Sequence, residues 1–231
     1  MNSILTILYP NICLLCKIRH VEPKQHLCNT CLDRLHPIGS PICGKCGGEN
    51  NGILEICSAC LDLKATWDRG FSLWKFSDSA KELIHEFKYH NRTELTRYIA
   101  LTMSERLAVL GYSTFDLITF VPMHWLKKIL RGYNQSELLA NELAQMLKIP
   151  CKKSVARVKF ARQQALLNRQ ARLKNIKNVF KLKSKTFSFV ENKHILVVDD
   201  VFTTGATFKE MTRQLHCGGV ASITIISIAR G

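Results

Sequence analysis

Beyond residue 65, apolar runs alternate with stretches of helical spacing. Residues 117–121, 195–198 and 223–228 are mostly apolar and β-branched, as is typical of strands that a parallel sheet buries on both faces. Residues 67–76 alternate apolar and polar positions and predict a further strand, or a hairpin, that enters the sheet. The alternation of strands and helices predicts an α/β fold built on a parallel sheet.

Apolar residues recur at helical spacing between these strands. One helix is predicted to begin at Ser77 or Asp78, since either side chain can cap it, and a second is predicted over residues 92–110. A third is predicted behind Asn134, because Asn134 and Glu137 have the spacing of a capping box.

A basic loop is predicted over residues 124–135, between a strand and the third helix. It carries Lys127, Lys128 and Arg131. A loop that follows a strand of an α/β sheet is a usual position for a ligand site, so these cations are candidates for binding an anion. A solvated charged loop is the alternative interpretation.

Residues 194–211 are the most specific stretch of the chain. A buried strand runs into Asp199 and Asp200, and a Thr-Thr-Gly-Ala-Thr loop then opens a helix. Such a loop offers unpaired N–H groups and hydroxyl donors to a phosphate, and the two acids can accept hydrogen bonds from vicinal hydroxyls one sugar away. The pattern predicts a site for a phosphorylated ribose. Its candidate residues are Asp199, Asp200, Thr203, Thr204, Gly205, Ala206 and Thr207.

Four Cys-x-x-Cys pairs occupy the first sixty residues. Each pair supplies half of a tetrahedral zinc site, so the four pairs predict two structural Zn²⁺ ions in a reducing compartment rather than disulfides or a thioredoxin-like redox site. Sequential pairing needs only short loops and is favoured over an interleaved cross-brace. The predicted ligands are Cys13, Cys16, Cys28 and Cys31 in one set and Cys43, Cys46, Cys57 and Cys60 in the other.

The net charge of +15 is concentrated in one segment. Residues 151–190 contain twelve Lys or Arg and no Asp or Glu. A segment of one charge sign is typical of a surface that binds a nucleic-acid backbone. Phe160 and Phe180 are either stacking surfaces for bases or core residues. The candidate nucleic-acid contacts are Lys127, Lys128, Arg131, Arg157, Lys159, Arg162, Arg169 and Arg172.

Residues 194–211 closely resemble the phosphoribosyl diphosphate (PRPP) signature of type I phosphoribosyltransferases, which consists of a hydrophobic strand, two acids, two variable residues and Thr-Thr-Gly-x-Thr. The strand and acids also resemble the acidic pocket of response-regulator receiver domains. In those domains the strand opens a long domain, whereas 31 residues follow Asp200 in this chain, which favours the first resemblance. The resemblance to type I phosphoribosyltransferases implies a second, compatible interpretation of residues 151–190: a loop that closes over the active site and neutralises the departing diphosphate.

The whole chain resembles the ComF/ComFC family of bacterial competence proteins. The four cysteine pairs are followed in order by Leu-Ile-x-x-x-Lys-Tyr (83–89), Val-Pro-Met-His (121–124), Arg-Gly-Tyr-Asn-Gln (131–135) and the Asp-Asp loop. This resemblance implies a type I phosphoribosyltransferase-like parallel sheet flanked by helices, over residues 66–231. It also implies a small zinc-finger domain over residues 1–65, with two sites of four cysteine ligands each.

The same resemblance implies a role in DNA uptake during natural transformation. It implies that the protein binds single-stranded DNA and PRPP, and that other DNA-uptake or recombination proteins are further partners. It also implies a cytoplasmic location, with peripheral association at the inner membrane. Transferase activity on an unidentified acceptor is the alternative function. In that case Mg²⁺, Lys88 and Arg131 (with Lys127 or Lys128) would stabilise the leaving diphosphate, while Asp199 and Asp200 hold the ribose. The N-terminus lacks a basic segment, and Pro10 ends its apolar run, so no signal peptide is expected.

Overall fold

The computed structural model describes residues 11–22, 25–89, 93–112, 114–159 and 178–231. Phe160, Arg162, Arg169 and Arg172 lie outside the described residues. The described helices are α1 Asn29–Arg34, α2 Ser58–Leu63, α3 Asp78–Tyr89, α4 Thr93–Val109, α5 Trp125–Arg131, α6 Gln135–Leu147, α7 Phe187–Val190 and α8 Ala206–His216, with a 3₁₀ turn at Ser184–Thr186.

Four parallel strands form the main sheet in the order β1-β6-β5-β2. A second sheet pairs two short strands in antiparallel orientation. The strands are β1 Arg69–Lys75, β2 Leu117–Phe120, β3 Val155–Arg157, β4 Phe180–Leu182, β5 His194–Phe202 and β6 Ser222–Arg230. The predicted parallel α/β sheet is therefore confirmed, and the residue 67–76 pattern corresponds to one strand, β1.

Both faces of the main sheet are covered, which explains its unbroken apolar strands. On one face, side chains of α3, α4 and α6 such as Leu83, Ile99 and Leu139 pack with Leu196 of β5. On the other face, Phe208 and neighbouring residues of α8 pack with Val197 and with part of the cysteine-rich segment.

The cysteine-rich segment forms two ribbons that pack on different faces. The first ribbon, residues 11–35, shares one hydrophobic cluster with α3 and α4. The second ribbon, residues 42–67, shares the other cluster with β5 and α8. Gly47 brings the second ribbon against β1, since its φ is +63° and a Cβ there would lie 2.2 Å from the Cα of Phe71.

The predicted basic loop over residues 124–135 is wrong in part, because seven of its residues form helix α5. The Nδ1 atom of His124 accepts a hydrogen bond from the backbone N–H of Leu126 and so caps this helix. The predicted capping box at Asn134 is also not formed. The side chain of Asn134 donates to the carbonyl of Val121 at 3.1 Å instead, which ties α6 to the end of β2.

Two further expectations are corrected. Strand β5 does not end at Val198 but continues through Asp199 and Asp200, because β6 pairs with it as far as Phe202. Phe180 is 3% exposed and belongs to the core, so it offers no surface for stacking with bases. Within the described ranges, no helix is both long and apolar enough to cross a membrane.

Candidate functional site

Asp199 and Asp200, which we call the acid pair, lie where β5 extends past its neighbour β2. The last residue of β2, Phe120, pairs with Val198, so the acid pair follows immediately beyond that strand. The carboxyl edge of a parallel sheet is where α/β proteins bind ligands. The acid pair is thus placed at the open edge by the unequal lengths of the two strands.

The carboxyl of Asp199 is buried and receives two hydrogen bonds. The hydroxyl of Ser136 and the backbone N–H of Asp200 both donate to its Oδ1 at 2.9 Å. Burial, together with the charge of Asp200, raises the pKa of Asp199 to about 8. Ser136 lies in the first turn of α6, and no pattern in the sequence singled it out.

Lysine and arginine side chains face the acid pair. Lys88, at the end of α3, forms an ion pair of 2.6 Å with Asp200. Burial lowers the pKa of Lys127, and the nearby charges of Arg157, Arg131 and Lys88 lower it further. Arg157 contributes a buried Nε atom without a hydrogen-bond partner among the described residues. The site therefore combines two carboxylates with a concentration of positive charge.

Residues 131–135 explain why these groups converge. Tyr133 donates to the carbonyl of Phe87 at 3.0 Å, and Gln135 donates to the carbonyl of Lys88 at 3.2 Å. The guanidinium of Arg131 donates to the Gln135 side chain at 3.0 Å. The Arg-Gly-Tyr-Asn-Gln sequence thus fixes the end of α3, which carries Lys88, beside the start of α6, which carries Ser136.

The threonine loop, residues 203–207, leads from β5 into α8. Gly205 precedes the first helical residue with a φ of +74°, a conformation that favours glycine. The hydroxyl of Thr204 accepts from the N–H of Ala206 at 3.4 Å. The amino end of α8 therefore opens towards the same sheet edge as the acid pair, as phosphate binding requires.

The eight paired cysteines form two clusters with sequential pairing, as predicted. Cys13, Cys16, Cys28 and Cys31 form the first cluster, and Cys43, Cys46, Cys57 and Cys60 the second; within each, all ligand atoms lie within 4.8 Å of one another. In a tetrahedral site with Zn–S bonds of about 2.3 Å, the sulfurs are about 3.8 Å apart. The Sγ distances of 4.0 Å for Cys16–Cys28 and 3.7 Å for Cys46–Cys57 fit that geometry.

The thiols of both clusters are prepared to bind a cation. The backbone N–H of Cys28 donates to the Sγ of Cys13 at 3.3 Å, and that of Cys57 donates to the Sγ of Cys43 at the same distance. Backbone hydrogen bonds lower the pKa of Cys16 to about 6, and a hydrogen bond with Cys60 lowers the pKa of Cys46 to about 5. Burial raises the pKa of Cys31 and Cys43, and the hydrogen bond with Cys46 raises that of Cys60. The donor sets therefore suit structural Zn²⁺.

The predicted nucleic-acid contacts are divided among several places. Lys127, Lys128 and Arg131 lie on α5, and Arg157 lies at the end of β3 beside the acid pair. Lys128 forms an ion pair of 2.8 Å with Glu137. Lys159 is exposed just beyond β3. Of the described candidates, Lys127 and Arg157 therefore lie near the acid pair, and Lys127, Lys128 and Arg131 share helix α5.

Comparison with known proteins gives the same two-part organisation. Residues 4–61 match the model of a double zinc ribbon domain, and residues 133–231 match that of a phosphoribosyl transferase domain. Adenine phosphoribosyltransferase from Thermoanaerobacter pseudethanolicus is a similar solved structure, with a TM-score of 0.40 and 14% identity over 62% of this chain and 83% of that one.

Curated relatives match over nearly their whole length. The chain is 31% identical to competence protein F of Haemophilus influenzae (94% of this chain, 96% of that protein). It is 28% identical to DNA utilization protein YhgH of Escherichia coli K12 (96% and 97%) and 23% identical to competence protein ComFC of Bacillus subtilis (95% of both). This chain therefore belongs to the competence protein F/ComFC/YhgH family, and it joins a double zinc ribbon to a type I phosphoribosyltransferase-like fold.

Proposed function

We propose that this protein is a DNA-uptake factor that binds PRPP at the acid pair and the threonine loop and handles incoming single-stranded DNA. The observation that carries the proposal is the position of Asp199 and Asp200 beside the opening of α8. Two carboxylates next to a helix amino end match a ribose that carries both hydroxyls and a phosphate. The names of the competence relatives support the role in DNA uptake.

The geometry supports a different role for each group of residues in this site. The acid pair accepts hydrogen bonds from the ribose hydroxyls, and the threonine loop binds the 5′-phosphate. Lys88 is held near the sugar by Asp200 at 2.6 Å, and Lys127, Arg131 and Arg157 are close enough to balance the diphosphate. Carboxylate oxygens beside phosphates also suit Mg²⁺, which would supply further neutralisation of diphosphate charge, with the partly exposed Asp200 as its protein ligand; Asp199 is buried and already accepts two hydrogen bonds.

Isothermal titration of the full chain with PRPP and Mg²⁺ tests this site. We expect saturable binding to the wild type and at least a tenfold loss of affinity in Asp200→Asn, since a charge-assisted hydrogen bond contributes about 1.5–3 kcal/mol. The exposed Asp62 of α2 provides a matched control, and Asp62→Asn should bind as the wild type does. No saturable binding to the wild type, or equal binding by Asp200→Asn, would contradict the proposal.

The convergence of cations favours a second candidate function, a phosphoribosyltransferase. In such a reaction the bond from ribose C1 to the diphosphate oxygen breaks, the diphosphate leaves, and a nucleophilic acceptor bonds to C1. Lys88, Lys127 and Arg131 would stabilise the departing charge. Incubation with labelled PRPP, with and without single-stranded DNA, tests this function. Release of diphosphate above the rate seen with Lys88→Met supports it, and no release under either condition leaves binding alone.

Helix α5 and the neighbouring Lys153 form the surface that supports the proposed binding of single-stranded DNA. It carries Lys127, Lys128 and Arg131 and presents Trp125, which is 61% exposed. Cations for the backbone and an exposed aromatic ring for the bases are the two elements of sequence-independent binding to single strands. Nearby Lys153 extends the basic surface, and its pKa is lowered by burial and by the charge of Lys183.

Intrinsic fluorescence tests this surface directly, because Trp67 and Trp74, the other two tryptophans, are 0% and 6% exposed. We expect a dT oligonucleotide to quench the emission of the wild type but not that of Trp125→Phe. Affinity measured by anisotropy should fall steeply with salt, and Lys127→Gln combined with Lys128→Gln should reduce the salt slope by about 1.4, since each phosphate contact with a single strand contributes about 0.7. Binding without quenching would place the DNA elsewhere.

A further inference from the structure

The second ribbon contacts the threonine loop directly. Leu63, the last residue of α2, is buried against Gly205. A Cβ atom at Gly205 would lie 2.6 Å from the Cδ2 of Leu63 and 2.8 Å from the Cζ of Phe202. The glycine therefore does more than permit a turn: it lets a side chain of the ribbon pack against the backbone of the loop.

Hydrogen bonds fasten the same part of the ribbon to α8, the helix that the loop opens. The ammonium of Lys209 donates to the carbonyl of Leu63. The hydroxyls of Thr66 and Thr212 are 2.6 Å apart, and a ring nitrogen of His216 contacts the carbonyl of Thr66. The segment after the second cluster is thus joined to α8 near both ends of the helix.

Arg230 joins the second cluster to the strand that precedes the loop. Its guanidinium lies 4.9 Å from the centre of the Phe202 ring, and its side chain fills the space that a Cβ of Gly48 would occupy. The thiols of Cys46, Cys57 and Cys60 are close enough to act on its charge. A cation between a thiolate-rich cluster and an aromatic ring is attracted to both.

The contact between ribbon and loop is concentrated in few side chains. A cavity of 230 Å³ lies beside it, with Cys60, Leu63, Thr203 and Thr204 in its wall. Leu63, Phe202 and Trp67 are the side chains nearest to a Cβ at Gly205, so the position of the loop depends on them. Removal of the Leu63 side chain would enlarge this space on the ribbon side of Gly205.

We propose that the second ribbon positions the threonine loop, with Leu63 and Arg230 as positioning residues that transmit the folded state of the Cys43–Cys60 cluster to residues 203–207. The proposal rests on PRPP as the ligand of that loop. It implies that PRPP affinity depends on zinc at the second cluster and not on zinc at the first.

Leu63→Ala tests the proposal, with Leu35→Ala as its matched control. Leu35 directly follows the last residue of α1, whereas Leu63 is the last residue of α2; Leu35 is similarly buried and packs in the other hydrophobic cluster. Both variants should retain two zinc ions by elemental analysis. We expect Leu63→Ala alone to speed amide hydrogen exchange at residues 203–207 and to raise the Kd for PRPP about tenfold, and Leu63→Met to restore both, since Met conserves the volume.

The outcomes separate this proposal from the proposed function. Wild-type protein that does not bind PRPP contradicts the function, while exchange at residues 203–207 still tests the positioning. Unchanged exchange in Leu63→Ala, or an equal effect of Leu35→Ala, overturns the positioning role even when PRPP binds. Arg230→Met provides a second test, because it removes the charge but keeps much of the packing against Phe202, and we expect a smaller increase in Kd with zinc retained.

Discussion

The two ribbons are built alike and are used differently. Cys28-Asn-Thr-Cys31-Leu-Asp and Cys57-Ser-Ala-Cys60-Leu-Asp each lead into a short helix, and each supplies half of a four-cysteine cluster. The first ribbon packs on α3 and α4, through the Lys17–Glu86 ion pair of 2.9 Å and contact of His26 with Tyr98. The second packs on β5 and α8, next to the threonine loop.

The cysteine-rich sequence of a ribbon therefore does not by itself determine which part of the molecule the ribbon supports. A ribbon of this size has too little core to fold without metal, so each cluster stabilises its own segment. Which part of the molecule each ribbon contacts depends on the leucine at, or just after, the end of its helix. Leu35 reaches the helical layer, whereas Leu63 reaches Gly205. The predictions below test this asymmetry.

The largest effect is expected from loss of one zinc ligand. Cys31→Ser and Cys60→Ser replace corresponding buried thiols, and elemental analysis should show one zinc ion fewer in each. We expect the folded fraction of Cys60→Ser to lose PRPP affinity about a hundredfold or more, because the threonine loop loses its support, and that of Cys31→Ser to stay within a few-fold of wild type. Equal losses in the two variants would remove the functional distinction between the ribbons.

A smaller effect is expected from Lys88, which lies on the helix that supports the first ribbon. Lys88→Met removes the ion pair with Asp200 but leaves both clusters intact. PRPP affinity should fall about tenfold, the effect of losing one charge-assisted contact of about 1.5 kcal/mol. Lys81→Met on the exposed side of α3 is the control, and calorimetry should detect no change there. This comparison shows whether α3 affects the site through one side chain or through its position.

The buried carboxyl of Asp199 makes the free energy of unfolding depend on pH, and neither ribbon is involved in this effect. The pKa of Asp199 is about 8 in the folded protein, because the carboxyl is buried beside Asp200, and about 3.9 in an unfolded chain. The folded state therefore binds the Asp199 proton more tightly than the unfolded chain does. The contribution of this proton to the free energy of unfolding is complete below about pH 4 and is lost as the pH rises towards 8. Asp199→Asn should flatten this decline.

Urea unfolding at pH 5 and pH 8.5 measures the effect. We expect Asp199→Asn to be more stable than wild type by a larger margin at pH 8.5 than at pH 5, while the exposed control Asp62→Asn follows the wild type at both. The amide oxygen can still accept from Ser136 and from the Asp200 N–H, so the fold is preserved. A difference in stability between Asp199→Asn and wild type that does not grow from pH 5 to pH 8.5 would contradict the raised pKa.

The parts of the structure that depend on local sequence were predictable. Apolar runs predict β2, β5 and β6, and the Cys-x-x-Cys spacing predicts both clusters and their sequential pairing, because neighbouring residues supply the whole signal. Helix α5 was missed because Trp125, Ile129 and Leu130 are exposed and give it no apolar face towards the core. The hydrogen bond of Ser136 to Asp199 and the contact of Leu63 with Gly205 were missed because each joins residues far apart in the chain.

The smallest expected effects compare one polar contact from each ribbon. Lys17→Met breaks an ion pair whose Glu86 carboxylate is buried and should cost about 1–3 kcal/mol of unfolding free energy. Thr66→Val removes the hydroxyl that faces Thr212 and should cost about 0.5–1.5 kcal/mol. General destabilisation therefore predicts at least as large a loss of PRPP affinity in Lys17→Met as in Thr66→Val. If the second ribbon positions the loop, only Thr66→Val should show a Kd for PRPP that is a few-fold higher. Titration of both variants with PRPP at one temperature decides between these explanations.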